Sequence, residues 1–191
     1  MADIIEIKKR GDRLPIIKTE RLILRDIELK DISEEYVSWL NNESITKYLE
    51  IRFVPQTKAV VEKYILSKLS DTVNSKHFGV YDNDGKRLIG TVTLSIINYK
   101  HSFAEVSFVI GHKDAQGKGF ATEALSAIVH YSFYDLKISK LIAGYYEGHI
   151  GSSNVLKKNG FVVEGIFKKK LINHDGIRVD QIVVGLLSKD V

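Results

Sequence analysis

Gln116-Gly117-Lys118-Gly119-Phe120-Ala121-Thr122 follows the apolar run 106–110 and opens an alanine-rich amphipathic segment. Two glycines and an alanine at alternate positions let backbone N–H groups turn toward a ligand with no side chain in the way. A helix starting there adds the positive end of its dipole. The stretch reads as a cradle for a phosphate-bearing anion at a strand-turn-helix junction. Its spacing excludes two commoner nucleotide grips. A P-loop needs four residues between its first Gly and the Gly-Lys pair, then Ser or Thr for magnesium, whereas Gly111 and Gly117 are separated by five and Lys118 is followed by Gly119. A dinucleotide fingerprint needs a third Gly or Ala three residues beyond the second Gly, and Thr122 stands there. The plainer alternative is a turn that uses glycine for its geometry alone.

Composition narrows the function classes. The 191 residues suffice for one sizeable core, and 44% hydrophobic with 27% charged residues is the make-up of an ordinary soluble globule. No apolar run nears the roughly 18 residues of a spanning helix, and the N-terminus has no contiguous apolar leader. A cytoplasmic protein with no membrane partner is expected. The absence of cysteine excludes disulfides, thiolate metal sites and a cysteine-bound acyl intermediate. The net charge of +4 comes from 28 Lys and Arg scattered among 24 acidic residues. Scattered charge is a solvated surface, so no nucleic-acid partner is expected. His77, His101, His112 and His130 show no ligand spacing, and no metal is expected.

Residues 1–18 have weak periodicity and read as an N-terminal extension to a single domain over 19–191, without repeats or linkers. A strand is expected at about 21–27. A helix follows from Asp31, whose side chain caps it while Glu34 completes a capping box, with Tyr36, Trp39 and Leu40 on its apolar face. Gln56 or Thr57 opens a second helix carrying Val60, Val61, Tyr64, Ile65 and Leu69 at helical spacing. Strands at 76–81 and 87–98 join across Asn83-Asp84-Gly85, a strong hairpin signal. The strand 103–111 leads into the cradle and a helix to about 134, with Ala121, Ala124, Leu125, Ile128 and Ser132 on one face, small enough to lie close to a sheet. A strand at 140–145, a short helix from Ser152 or Ser153 to the left-handed cap Asn159-Gly160, and strands at 165–172 and 177–187 complete the order.

The strand, the Q-x-x-G-x-A turn and the helix resemble the coenzyme A pyrophosphate loop of the GNAT N-acetyltransferase superfamily. Thr19-Glu20-Arg21-Leu22-Ile23-Leu24-Arg25 resembles the opening strand of its RimJ/RimL branch, and Leu88-Ile89-Gly90 its second hairpin. Ser152, Val155, Leu156, Asn159, Gly160, Phe161 and Glu164-Gly165 resemble its last helix and the strand after it, so the matches run in order over 19–187. The resemblance implies an α/β (α+β) fold of the GNAT acyl-CoA N-acyltransferase type, with a mixed, mostly antiparallel sheet and helices on both faces. It implies acetyl-CoA as cosubstrate. Val109, Ile110 and Gly111 would offer backbone groups to the pantetheine arm, while Gly117, Lys118, Gly119, Phe120, Ala121 and Thr122 would hold the pyrophosphate. Gln116 would stand at the lip of the loop. His149 occupies a position where the branch usually has a cofactor-contacting Asn, and an imidazole also donates or accepts one hydrogen bond. Ser152 belongs to the same cofactor group.

The chemistry that follows is direct attack of an amine on a thioester in a ternary complex, consistent with the missing cysteine. An alkylamine is mostly protonated at neutral pH, so a base must take its proton. Glu105 is the first candidate, because strand alternation puts it on one face with Ser107 and Val109; an exposed strand carboxylate paired with a lysine is the competing reading. Relatives elsewhere in the superfamily carry an acid Tyr at the position of Leu156, so Ser152, Tyr145, Tyr146 or a water would have to serve. Glu50, Arg52, Phe53 and His174 would line the acceptor side, where Arg52 could meet a phosphate, and Asp180 would orient the amine or pair with a basic neighbour. The acceptor is expected to be a small amine such as an amino sugar, or a protein N-terminus. A non-catalytic coenzyme A sensor or scaffold is the alternative, and monomer and homodimer both stay open.

Overall fold

The computed structural model describes residues 4–11, 13–71, 73–82 and 84–189. Nine strands form one sheet: β1 (Ile4–Arg10), β2 (Arg13–Thr19), β3 (Leu22–Asp26), β4 (Lys76–Asp82), β5 (Leu88–Asn98), β6 (Phe103–Ile110), β7 (Lys140–Tyr146), β8 (Val162–Ile172) and β9 (Arg178–Leu187). Their order in space is β1-β2-β3-β4-β5-β6-β7-β9-β8. Every neighbouring pair is antiparallel except β6 and β7, which run parallel. Five helices accompany the sheet: α1 (Glu34–Asn41), α2 (Glu43–Thr46), α3 (Lys58–Ser70), α4 (Phe120–His130) and α5 (Ile150–Lys158). This is the mixed, mostly antiparallel sheet expected from the sequence. Among the described residues no helix is long and apolar enough to cross a membrane.

Strand alternation divides the core into two layers. Along β4, Phe78 and Val80 face a cluster that includes Ala124, Leu125 and Ile128 of α4, whereas Tyr81 faces a second cluster with Tyr36 and Trp39 of α1 and Val61 and Ile65 of α3. All but the last residue of β4 are buried, as a strand covered on both faces must be. At the opposite extreme, the edge strand β8 leaves Val162, Val163, Ile166 and Phe167 exposed. Residues 4–10 and 13–19, all but Thr19 read from sequence as part of an extension, form a hairpin that continues the sheet beyond β3.

Several boundaries shift for identifiable reasons. Ser33, not Asp31, caps α1, accepting the Tyr36 N–H at 3.1 Å. Asp31 is otherwise engaged: its carboxylate takes the Glu28 N–H, both terminal nitrogens of Arg25 and the Tyr81 hydroxyl. Thr57 caps α3 as expected; such a cap contributes about 1 kcal/mol. α5 starts at Ile150 with His149 as its N-cap residue, two or three residues before the start at Ser152 or Ser153 expected from the sequence, and Gly160 ends it at φ +86. In the β4–β5 turn Gly85 adopts φ +68 and its N–H donates to Asp82 C=O, while Asn83 lies outside the described residues. α4 ends at His130, and a single π-type turn over Tyr131–Asp135 extends it to the expected limit.

One feature of the sheet positions everything below. β6 and β7 pair only through Phe103, Ala104 and Glu105 against Lys140, Leu141 and Ile142. Beyond them 106–110 and 143–146 no longer pair with each other; β6 stays bonded to β5 and β7 to β9. The two strands part, and the far end of β6 at Phe108, Val109 and Ile110 opens onto a cleft.

Candidate active site

The cleft has a volume of about 380 Å³. Two helices begin at it. The first backbone bond of α4 runs from Glu123 N–H to Gly119 C=O at 3.1 Å, and that of α5 from Ser153 N–H to His149 C=O at 3.1 Å. Helix geometry leaves the preceding N–H groups without intrahelical acceptors, and Phe120, Ala121 and Thr122 of α4 with Gly151 and Ser152 of α5 all line the cleft. Two positive dipole ends and their orphan donors thus converge on one cavity, which is the setting an anion requires.

The glycines do what the sequence suggested. Gly117 has φ +74 and Gly119 φ +83 with ψ 0, left-handed values that cost an L side chain roughly 1–2 kcal/mol. A Cβ on Gly117 would meet nothing within 4 Å, so its requirement is conformational and its surface stays open to a ligand. Gln116 donates its side-chain amide to Ile110 C=O at 3.0 Å, fixing the loop against the end of β6. The Asn159 amide bonds Thr122 C=O and Val155 C=O, joining α5 to the first turn of α4.

Val109, Ile110, Gln116, Gly117, Gly119, Phe120, Ala121, Thr122, His149 and Ser152 are brought together on the lining, with Phe108, Asn154, Val155 and Lys158. Ala121, expected both on the apolar face of α4 and in the cradle, lines the cleft. Gly111 and Lys118 are not on the lining. The Gly111 N–H is bonded to Ile89 C=O at 3.0 Å, and a Cβ there would lie 2.2 Å from the Trp39 ring, so this glycine serves close packing. Lys118 contributes a carbonyl on the outer side of the loop, accepting from Arg21 Nη1 at 3.0 Å.

Glu105 is exposed at the last paired position of β6 and β7 and is also absent from the lining. Four strand residues, about 13 Å, separate it from Val109. No cation pairs with it among the described residues, which removes the lysine-pair reading. Ser152 sits on the wall at the start of α5. Leu156 is buried in the main core, 2% exposed, so the position where relatives carry an acid holds a packing residue.

His149 is the one imidazole on the lining. Its ring stacks on Tyr48, centroids 4.2 Å apart and 18° from parallel. Burial pushes the imidazole below its usual value, and the nearby Lys47 ammonium adds to the effect. The ring is therefore neutral at pH 7 and able to accept a proton.

One wall of the cleft adjoins a cluster that local sequence could not reveal. Ser44, Ile45 and Leu49 close the cleft. Next to them Tyr146 donates to Glu50 and accepts from Arg52 Nη1 at 3.0 Å, while Arg52 also donates to Leu49 C=O and Ile172 C=O. Burial, then the Glu50 bond, raises the Tyr146 hydroxyl above its usual value. Arg52 is thus used inside the protein rather than left for a ligand phosphate. Asp180 binds Lys168 at 2.8 Å and the Lys169 N–H, taking the pairing option. His174 is 3.3 Å from Asp175 in the β8–β9 turn, and Phe53 is exposed beneath the Arg52 guanidinium.

Comparison with known proteins agrees with this geometry. The family model described as an acetyltransferase (GNAT) domain matches residues 21–162. A probable N-acetyltransferase, YjcK of Bacillus subtilis, is 37% identical over 115 residues, 60% of this chain and 62% of that protein. The Escherichia coli [ribosomal protein uS5]-alanine N-acetyltransferase is 31% identical over 115 residues, 60% of this chain and 58% of the relative. The crystal structure of Vibrio cholerae spermidine N-acetyltransferase in complex with CoA and spermine superposes with a TM-score of 0.76 at 28% identity, covering 87% of this chain and 95% of that one. With the splayed sheet, the glycine loop and the family model in agreement, the chain belongs to the GNAT acetyltransferase family.

Proposed function

We propose that this protein transfers the acetyl group of acetyl-CoA to a primary amine by direct attack in a ternary complex. The single observation that carries the reading is the convergence of the α4 and α5 N-termini on the cleft between splayed β6 and β7. In this reading the amides of 117–122 and 151–152 hold the diphosphate, the open edge of β6 at Val109 and Ile110 lies along the pantetheine arm, and Gln116 keeps the loop in shape. The cosubstrate supplies an already activated acyl group, so the protein's tasks are to bind, orient and deprotonate. The domain over 19–191 carries all of these groups, the hairpin before it extends the same sheet and adds Leu14 and Ile17 to the core, and the site of action is the cytoplasm.

Two groups compete as proton acceptor. Glu105 stands at the mouth of the splay and would act through water, given its distance along the strand from Val109. His149 lines the cleft itself and is neutral at pH 7. Leu156 donates no proton, so Ser152 or water completes leaving-group protonation; the Tyr146 proton is committed to Glu50. The acceptor is a small amine or a protein N-terminus, in line with relatives that act on spermidine or on a ribosomal-protein alanine. A phosphorylated amino sugar is the weaker fit, because Arg52 already donates three hydrogen bonds inside the protein, to Leu49 C=O, Tyr146 and Ile172 C=O.

The test is thiol release from acetyl-CoA with spermidine, an alanyl-terminated peptide and glucosamine as acceptors. Turnover with one of them, reduced about 100-fold or more in Glu105→Gln or in His149→Asn, identifies the base. Tight CoA binding with no thiol release across a broad amine panel would instead favour a coenzyme A sensor.

A further inference from the structure

The opening motif Thr19 to Arg21 takes no part in the cleft lining, yet it reaches across more than 100 residues of sequence to the loop that forms it. Its target is Glu123, a carboxylate 7% exposed in the first turn of α4. That location poses a physical problem. A carboxylate near a helix N-terminus stabilises the helix through its dipole, but here the same terminus is offered to a diphosphate, which an uncompensated carboxylate repels.

The network around Glu123 resolves the conflict. Arg21 Nε and Nη2 both lie 2.7 Å from Oε2, while Oε1 accepts the Thr19 hydroxyl at 2.6 Å and the Arg21 backbone N–H at 2.9 Å. Both carboxylate oxygens are engaged by neighbours on the β2–β3 turn. The remaining end of the guanidinium, Nη1, holds Lys118 C=O at 3.0 Å, and the guanidinium carbon lies 4.6 Å from the centre of the Phe120 ring. A Cβ on Gly119 would come within 3.5 Å of Nη2. One planar group therefore touches residues 118, 120 and 123 and flanks Gly119. Glycine makes the peptides around 117–119 easy to rotate, and a rotated Lys118 carbonyl would turn acceptor lone pairs toward the ligand. A lysine at 21 could cancel the charge but not span both partners, because it lacks the rigid fork.

We propose that Arg21 is a positioning residue for the cofactor diphosphate: it neutralises Glu123 beneath the anion site and pins the Lys118 carbonyl outward, so that the loop presents only donors. The inference rests on the acetyl-CoA reading above. Calorimetric titration of CoA, at one fixed ionic strength, into the wild type, Arg21→Ala, Arg21→Lys and the double variant Arg21→Ala/Glu123→Gln tests it, with the unfolding midpoint of each apoprotein measured in parallel. Arg21→Ala should bind CoA on the order of tenfold to hundredfold more weakly, the scale of lost charge-assisted hydrogen bonds. The double variant should recover several-fold of that affinity, because the unmasked carboxylate is gone, and Arg21→Lys should fall between wild type and Arg21→Ala. A purely structural staple predicts no recovery, since the double variant restores no contact. Binding by Arg21→Ala within twofold of wild type, or a double variant no tighter than Arg21→Ala, overturns the proposal. If Arg21→Ala does not fold, wild-type affinity in Arg21→Lys overturns it and a several-fold loss at an unchanged midpoint supports it. Wild type that takes up no CoA defeats the acetyl-CoA reading itself, and this inference with it.

Discussion

The two sides of the cleft are built from different materials. Where we propose that the cofactor binds, the donors are main chain: orphan amides of two helix ends, shaped by Gly117 and Gly119 and backed by Arg21 and Glu123. Where we propose that the acceptor enters, the wall is side chain. Glu50, Arg52 and Tyr146 bond across 94 and 96 residues of sequence, Arg52 reaches Ile172 across 120, and Tyr48 stacks on His149. Backbone donors are present whatever the side chains, so a backbone-built grip survives divergence. A side-chain wall changes with every substitution.

The sharpest way to break this division is at Gly119. Valine there must adopt φ near +83 with a branched Cβ, a strain of about 1–3 kcal/mol that will be relieved by moving the loop. CoA affinity, measured by calorimetry, is expected to fall on the order of a hundredfold, with the acceptor wall and its Tyr48 fluorescence environment unaffected. Unchanged affinity would mean that the grip is not backbone-built.

A second prediction separates the two layers of the core by pH. His77 on β4 is fully enclosed between the edge of Tyr64 and Thr93, whose hydroxyl is 2.7 Å from Nδ1, and burial holds its imidazole down to about 4, with Lys68 adding to the shift. The unfolded chain binds the proton more readily, so this contribution to stability is complete above the ordinary value of 6.5 and is lost as pH falls toward 4. Between about pH 7.5 and about pH 5 the wild type should lose about 2 kcal/mol more than His77→Gln does, as read from denaturant unfolding. Parallel pH profiles for the two proteins would contradict the assignment.

The smallest effect is expected from Arg52→Ala. It removes bonds to Tyr146, Leu49 and Ile172 but touches nothing on the glycine loop. KM for the amine should rise about tenfold, the scale of one or two charged hydrogen bonds, while KM for acetyl-CoA stays within about twofold. An equal rise in both would show that the two sides are not independent.

Legibility followed the same line. The cradle, the order of elements from β3 onward apart from the short α2, and the α3 cap at Thr57 rest on short-range signals, namely glycine spacing, alternation and a side chain reaching three residues ahead. The cap of α1 was misplaced because Asp31 and Ser33 are both competent caps, and only the packing of Arg25 and Tyr81 shows where Asp31 is used. Gly111 illustrates the same limit: its glycine was visible and its reason, the Trp39 ring, was not. The strands at 4–10 and 13–19 were missed because their alternation is weak and their stability comes from pairing with β3.

By itself the sequence determined where the backbone must be glycine, which segments carry a helical or alternating apolar face, and that no thiol is available for chemistry. These are properties of one residue or one turn. Only tertiary structure decided that β6 and β7 part after Glu105, that α4 and α5 aim their free amides at the same space, and that Arg21 meets Glu123 beneath it. The reason is physical: each of these arrangements joins groups distant along the chain, and their encounter is fixed by the packing of the whole sheet and not by any local preference.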